Sequence, residues 1–184
     1  SEPMRSYYSK FGKPTYVVNN GYDYDSIEKA RLLAKEYDDG KVTIRYMGIV
    51  SDGRIPRNFI KALDLLRIKD YKKFNLISVE FYGNGSLLKK YLQNNYPELN
   101  NTFKYYDFVS YIESLRLIIE SDYVLFSETS NTDNLSSQGI LTTKLFEYLG
   151  SGRPIIADIS NHTLAGSLIS KCSNRNLVTI DSSK

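Results

Sequence analysis

The sequence has no tryptophan, a single cysteine and a single histidine. These scarcities exclude several chemistries before any motif is read. Cys172, alone, can form no internal disulfide and cannot anchor a site of several thiolates, so a reducing cytosol is the expected home. His162 follows Asn161 in a polar stretch with no nucleophile or metal ligand beside it, and reads as a surface or loop histidine. No apolar run approaches the roughly 20 residues that span a bilayer, and the opening SEPMRSYYSK lacks the apolar centre of a signal peptide. The chain is therefore expected to be neither exported nor membrane-spanning. Charge of one sign is scarce too: the net charge is +3, with Lys and Arg interspersed among Asp and Glu, and nothing calls for nucleic acid as a partner. Zinc signature, Walker-type loop and dinucleotide glycine fingerprint are all missing.

What is present is 184 residues with an apolar share of 41%, enough for one well-buried domain. Apolar, β-branched runs bounded by turn residues predict strands over 15–18, 42–47, 77–82, 105–109, 123–126, 154–157 and 177–180. Between them, apolar residues three and four apart predict helices over 27–37, 59–68, 87–96, 112–119, 144–149 and 164–169. Strand and helix alternate, which implies crossover helices, parallel strands and an open doubly wound α/β sheet, Rossmann-like in layout. In such sheets ligands gather beyond the carboxyl ends of the strands. The longest connection, 127–141, is almost free of apolar residues and is expected to be functional. Both ends look cut, with a loose stretch over 1–14 that reads as a linker remnant and a domain over 15–184 that lacks a closing helix.

The most informative stretch is TTKLFEYLGSGRPIIA, beginning at Thr142. It reads as a helix start, a short amphipathic helix, a glycine stop and a buried strand. Lys144 in the first turn opposes the helix dipole unless an anion is present, and free amides beside an ammonium suit a phosphate. Glu147, three residues on, faces the same way and could accept hydrogen bonds from vicinal hydroxyls of a ribose. The plainer alternative is an exposed Lys–Glu pair one turn apart. In GIVSDGRIPRNFIKAL, Arg54 approaches the next helix and could fork onto phosphate oxygens, with Arg57 as a competitor. In FYGNGSLL, Gly83, Asn84 and Gly85 connect a strand to a helix where a ligand could approach the backbone. Asp23 and Asp25 read as a turn and helix cap rather than a cation site.

Taken in order, VVNNGYDYD, YMGIVSDGRIPRNFIKAL, VEFYGNG, YDFVSYIESLRLIIESDYVLFSETS and TTKLFEYLGSGRPIIA resemble the C-terminal domain of retaining GT-B glycosyltransferases of the glycogen-synthase-like and mannosyltransferase-like group. The resemblance implies a nucleotide-sugar-binding half of a two-domain enzyme. Arg54, Lys144 and Thr143 would face the donor phosphates and Glu147 the ribose. Gly83, Asn84 and Gly139 would line the donor cleft, and the backbone near Val109 and Ser110 would face the base. The acceptor-binding domain, absent here, would carry the catalytic groups, so this segment alone is expected to be inactive. The family often has an arginine where this chain has Ile49 and a second glutamate where it has Gly139, which leaves recognition of the sugar open. Cationic groups would take the place of a metal, so neither a cofactor nor an essential divalent ion is expected. The implied partners are a UDP- or GDP-linked sugar and a glycan or lipid-linked acceptor. The implied setting is bacterial surface-polysaccharide synthesis, in the cytoplasm or peripherally at the inner face of the membrane. Two other readings stay open: a non-catalytic module on the same scaffold, and half of a sugar-nucleotide epimerase.

Overall fold

In the computed structural model, residues 1–18, 20–35, 39–128, 140–172 and 177–178 are described. Six strands form one parallel sheet among them: β1 (Val42–Met47), β2 (Ile77–Tyr82), β3 (Phe103–Tyr106), β4 (Tyr123–Ser127), β5 (Ile155–Asp158) and β6 (Leu177–Val178), in the order β3-β2-β1-β4-β5-β6. The central pair is in continuous register from Val42 opposite Ile77 to Met47 opposite Tyr82, and β4 joins the other side of β1 with Ile44 opposite Tyr123. The helices are α1 (Glu2–Tyr8), α2 (Tyr24–Leu33), α3 (Arg57–Lys69), α4 (Tyr71–Phe74), α5 (Ser86–Asn95), α6 (Tyr111–Ile119), α7 (Thr143–Ser151) and α8 (Leu164–Cys172).

The period-2 geometry of a strand sends neighbours to opposite faces, and β4 shows it directly. Val124 and Phe126 pack with Ile27, Leu115, Leu145 and Tyr148, while Leu125 between them packs with Ile60, Leu63 and Leu88. The sheet therefore has a core on each face, one under α2, α6, α7 and α8, the other under α3 and α5. Each fully buried leucine or isoleucine contributes about 1.5–3 kcal/mol relative to exposure, which outweighs the modest intrinsic preferences of these segments.

The doubly wound architecture expected from the alternation is the one observed, with local corrections. The run 15–18 is not a strand: Val17 is half-buried, but Tyr16 and Val18 are 83% and 88% exposed, and no ladder forms. The sheet edges among the described residues are β3 and β6, so the run has no neighbour to pair with. Strand β3 begins at Phe103, opposite Val79, and ends at Tyr106, so the apolar residues of 107–109 lie in the loop beyond it. Within the stretch read as loose, Glu2–Tyr8 is helical, with an Arg5–Glu2 ion pair at 2.7 Å. Helix α7 runs past Gly150 to Ser151, and Gly152, at φ +74°, ends it. Gly150 serves packing: a Cβ there would lie 2.6 Å from the Ile27 side chain.

Candidate donor site at the sheet switch point

The chain leaves β1 toward β2 on one side and returns as β4 on the other, so a crevice opens beyond the carboxyl ends of these two strands. The strand ends converge there through two glycines. Gly48 (φ +116°) donates to the Tyr82 carbonyl at 2.8 Å, and Gly83 (φ +120°) donates to the Tyr106 carbonyl at 2.9 Å. A Cβ on Gly83 would stand 2.5 Å from the Gly48 carbonyl oxygen, so any side chain there pushes β1 and β2 apart.

Five helices that follow strands begin at this end of the sheet, and four of them have a first-turn amide closed by a side chain, α8 by the Thr163 hydroxyl, which accepts from the Gly166 amide at 3.1 Å. The N-terminus of α3 takes the carboxylate of Asp158, at the end of β5, which accepts from the amides of Asn58 and Phe59 at 2.8 and 3.1 Å and from the Asn58 side chain at 3.0 Å. The Asn84 side chain accepts from the Ser86 amide at 3.1 Å at the start of α5, and Ser110 accepts from the Glu113 amide in α6. Helix α7 differs. Thr142 stands at its N-cap position but makes no side-chain cap bond, and its hydroxyl is buried without a partner among the described residues. Among the described residues, the positive dipole end of α7 is thus the one left for another group.

Beside that start lies a cluster of charges. The Lys144 ammonium sits 3.9 Å from the centroid of the Tyr46 ring and 5.7 Å from that of Phe126. Burial lowers its pKa to about 7, against the pull of Glu128 and Glu147 and with a push from Arg54. Arg54, at the end of the turn Asp52–Arg54, donates to the Glu128 carboxylate at 2.5 Å, and that carboxylate, just beyond β4, is 3% exposed. Glu147, half-buried one turn along α7, has its pKa raised by burial against the favourable field of Lys144. It adds to the rise in the Tyr111 hydroxyl, which burial begins. Tyr148, fully buried, accepts from the Met47 amide at 2.9 Å and so ties α7 to the end of β1. The arrangement presents an uncapped helix start, an ammonium held in a weakly hydrated setting and a guanidinium, all at one crevice.

Of the residues singled out in the sequence, Arg54, Lys144 and Glu147 come together here. Arg57 does not: it pairs with Asp52 at 3.0 Å and lies over the Tyr91 ring at 5.4 Å. The expected surface pair between Lys144 and Glu147 is likewise not formed, the lysine being turned onto Tyr46. Thr143 is exposed at the first position of α7. Gly83 and Asn84 line a cavity of about 210 Å³ at the ends of β2 and β3, with the Asn84 side chain committed to its cap. Val109 is 36% exposed in the loop before α6, which Ser110 caps. Gly139 lies outside the described residues, as does 129–139 of the long loop. Asp23 caps α2 by accepting from Ser26, and the described residues contain no cluster of metal-ligand type. Sequence reasoning missed Glu128, Asp158, Tyr46 and Tyr148. A carboxylate immediately after a buried strand was the available signal for the first two; the aromatic pair looks like ordinary core.

Strand order and switch-point crevice define a class of fold: the Rossmann-like doubly wound parallel sheet found in the GT-B architecture. By sequence, no protein-family model and no curated protein matches the chain. By structure it is similar to HepE of Anabaena in complex with UDP and glucose, with a TM-score of 0.66 at 17% identity over 98% of this chain and 48% of that one. It is similar also to TarM of S. aureus, with a TM-score of 0.61 at 14% identity over 99% of this chain and 33% of that one. A third likeness is to WaaG, a glycosyltransferase involved in lipopolysaccharide biosynthesis, with a TM-score of 0.53 at 12% identity over 88% of this chain and 39% of that one. The chain spans about half the length of the HepE structure and less of the others, and at these identities the likeness is one of fold.

Proposed function

We propose that this chain is the donor domain of a glycosyltransferase and binds a nucleoside-diphosphate sugar, UDP- or GDP-linked, across the switch-point crevice. The observation that carries the reading is the start of α7, without a side-chain cap and with Lys144 held beside it. The amides of Thr143 and Lys144 and the Lys144 ammonium would meet the diphosphate, and its negative charge would return the proton that burial disfavours. Arg54 would exchange Glu128 for a phosphate oxygen, and Glu147 would hold the ribose. Gly83 and Asn84 would line the donor cleft, and the backbone near Val109 and Ser110 would face the base. Transfer to a glycan or lipid-linked acceptor, with retention, would need a second domain that supplies the acceptor site and catalytic groups. Lys144 and Arg54 would stabilise the departing diphosphate without a divalent ion. That HepE, which shares this fold, is in complex with UDP and glucose supports a nucleotide as the ligand. The setting consistent with this reading is bacterial surface-polysaccharide synthesis, in the cytoplasm or at the inner membrane face.

Calorimetric titration of the chain with UDP, GDP, ADP and CMP tests the reading. One diphosphate should bind saturably and more weakly to the Lys144→Ala and Glu147→Ala variants. A folded chain that binds none of them would instead be a scaffold module without donor function, the reading favoured by an Arg54 already neutralised by Glu128 and by an exposed Ile49.

A further inference from the structure

A nucleoside-diphosphate sugar is an anion with a hydroxylated ring at each end, the ribose and the sugar. A site that holds it whole needs cations between two groups of hydroxyl acceptors. The crevice carries that order of charges. Lys144 lies in the fields of two carboxylates, Glu147 from its own helix and Glu128 from just beyond β4. The charged partner of Glu147 is Lys144, and that of Arg54 is Glu128, at 2.5 Å. Tyr46 spans the interval: Lys144 rests on its ring at 3.9 Å, while its hydroxyl, which donates to the Ile49 carbonyl at 3.1 Å, lies in the fields of Arg54 and Glu128. Carboxylate, ammonium, guanidinium and carboxylate thus follow one another, with Glu147 at one end and Glu128 at the other. Glu128 is 3% exposed and Arg54 33%, so the guanidinium is the partner that solvent reaches. A buried pair of this kind adds little to stability, because desolvation offsets the attraction.

We propose that Glu128 recognises the transferred sugar, accepting hydrogen bonds from its free hydroxyls once Arg54 has turned to the diphosphate. The inference rests on the donor-site reading and deepens it. With Arg54 and Lys144 on the diphosphate and Glu147 on the ribose, Glu128 gives up its guanidinium. An ionised carboxylate makes no hydrogen bond to an ionised phosphate, since both only accept; hydroxyls can donate to it, and one carboxylate serves two of them. The hydroxyls at the end of the donor away from Glu147 are those of the sugar. The donor class is therefore a sugar with unsubstituted hydroxyls facing β4, and until it arrives Arg54 holds the carboxylate in place.

The test is calorimetric titration of the 184-residue chain and its Glu128→Gln variant with UDP against UDP-glucose and with GDP against GDP-mannose. Glutamine keeps the shape and removes the charge. For the diphosphate that the unaltered chain binds, the variant should hold the free diphosphate as tightly as before or more tightly, since a negative charge beside it is gone. It should hold the sugar nucleotide about tenfold more weakly relative to that diphosphate. Glu128→Asp, a shorter acceptor, should shift the ratio the same way by less, and it serves where circular dichroism shows that the glutamine variant fails to fold. An equal change for diphosphate and sugar nucleotide would overturn the proposal: a shared gain would make Glu128 only a competitor for Arg54, and a shared loss only its support. An unaltered chain that binds neither diphosphate would remove the donor-site reading and this inference together, whereas diphosphate binding with an unshifted ratio would remove this inference alone.

Discussion

Helices α3 and α7 both start at the carboxyl edge of the sheet, both aim a positive dipole end at the crevice region, and their sequences treat those ends in opposite ways. At α3 a buried carboxylate from a strand 100 residues away, Asp158, closes the first amides and leaves no room for a ligand. At α7 the residue at the capping position makes no such bond, and a lysine stands where the dipole disfavours it. One helix start is closed by a carboxylate; the other is left without a side-chain cap and with a desolvated lysine beside it, a demand that the proposed diphosphate would meet. The contrast teaches that a helix N-terminus is no site by itself; what distinguishes a site is an unmet electrostatic demand.

The largest effect expected from breaking this contrast is at α3. Asp158→Ala strands two backbone amides and the Asn58 side chain, and should lower unfolding free energy by about 3 kcal/mol in urea titrations. Next comes Lys144→Ala, for which UDP affinity should fall by about 2 kcal/mol, roughly thirtyfold, with stability unchanged or higher because a desolvated ammonium is removed. A matching loss of stability in both variants would erase the distinction between the two helix starts. Tyr148→Phe should cost about 1–2 kcal/mol, since the buried Met47 amide loses its acceptor, and should loosen nucleotide binding by unlatching α7 from β1.

A further effect concerns pH and sharpens the comparison. With the Lys144 pKa at about 7 in the folded chain, against an ordinary unfolded lysine at about 10.4, the unfolded chain holds more protons between those values. Stability relative to Lys144→Met should therefore rise with pH across that window, and the burial penalty should be fully present below its lower end. Urea midpoints of the two proteins at neutral and alkaline pH check the slope. Nucleotide binding should run the other way, taking up a proton at pH above about 7, visible as a calorimetric enthalpy that changes with buffer.

Much of this was legible in the chain itself. The β-branched runs at Val42–Met47 and Ile77–Tyr82 have the observed boundaries, since strands buried in the sheet are rich in β-branched and aromatic residues, and the charges that interrupt them, Arg45 and Glu80, pair with each other at 2.8 Å. Lys144 was legible because a cation in a first helical turn contradicts the dipole, and such contradictions are local. Where the reading slipped, a local pattern met a tertiary decision. Residues 15–18 are a β-branched and aromatic run like a strand but have no ladder to join, and the apolar residues before Ser110 look like strand although the ladder ends at Tyr106.

The sequence alone determined the alternation of strand and helix, the two glycine-ended strands and the anomalous lysine, because each depends on residues within one turn or one strand. Tertiary structure decided which arginine faces Lys144, which helix starts are closed and what holds α7 in place. Arg54 meets Glu128 across 74 positions, Asn58 meets Asp158 across 100, and Met47 meets Tyr148 across 101. No short-range pattern encodes those partnerships; they exist because the parallel sheet brings the carboxyl ends of distant strands to one edge.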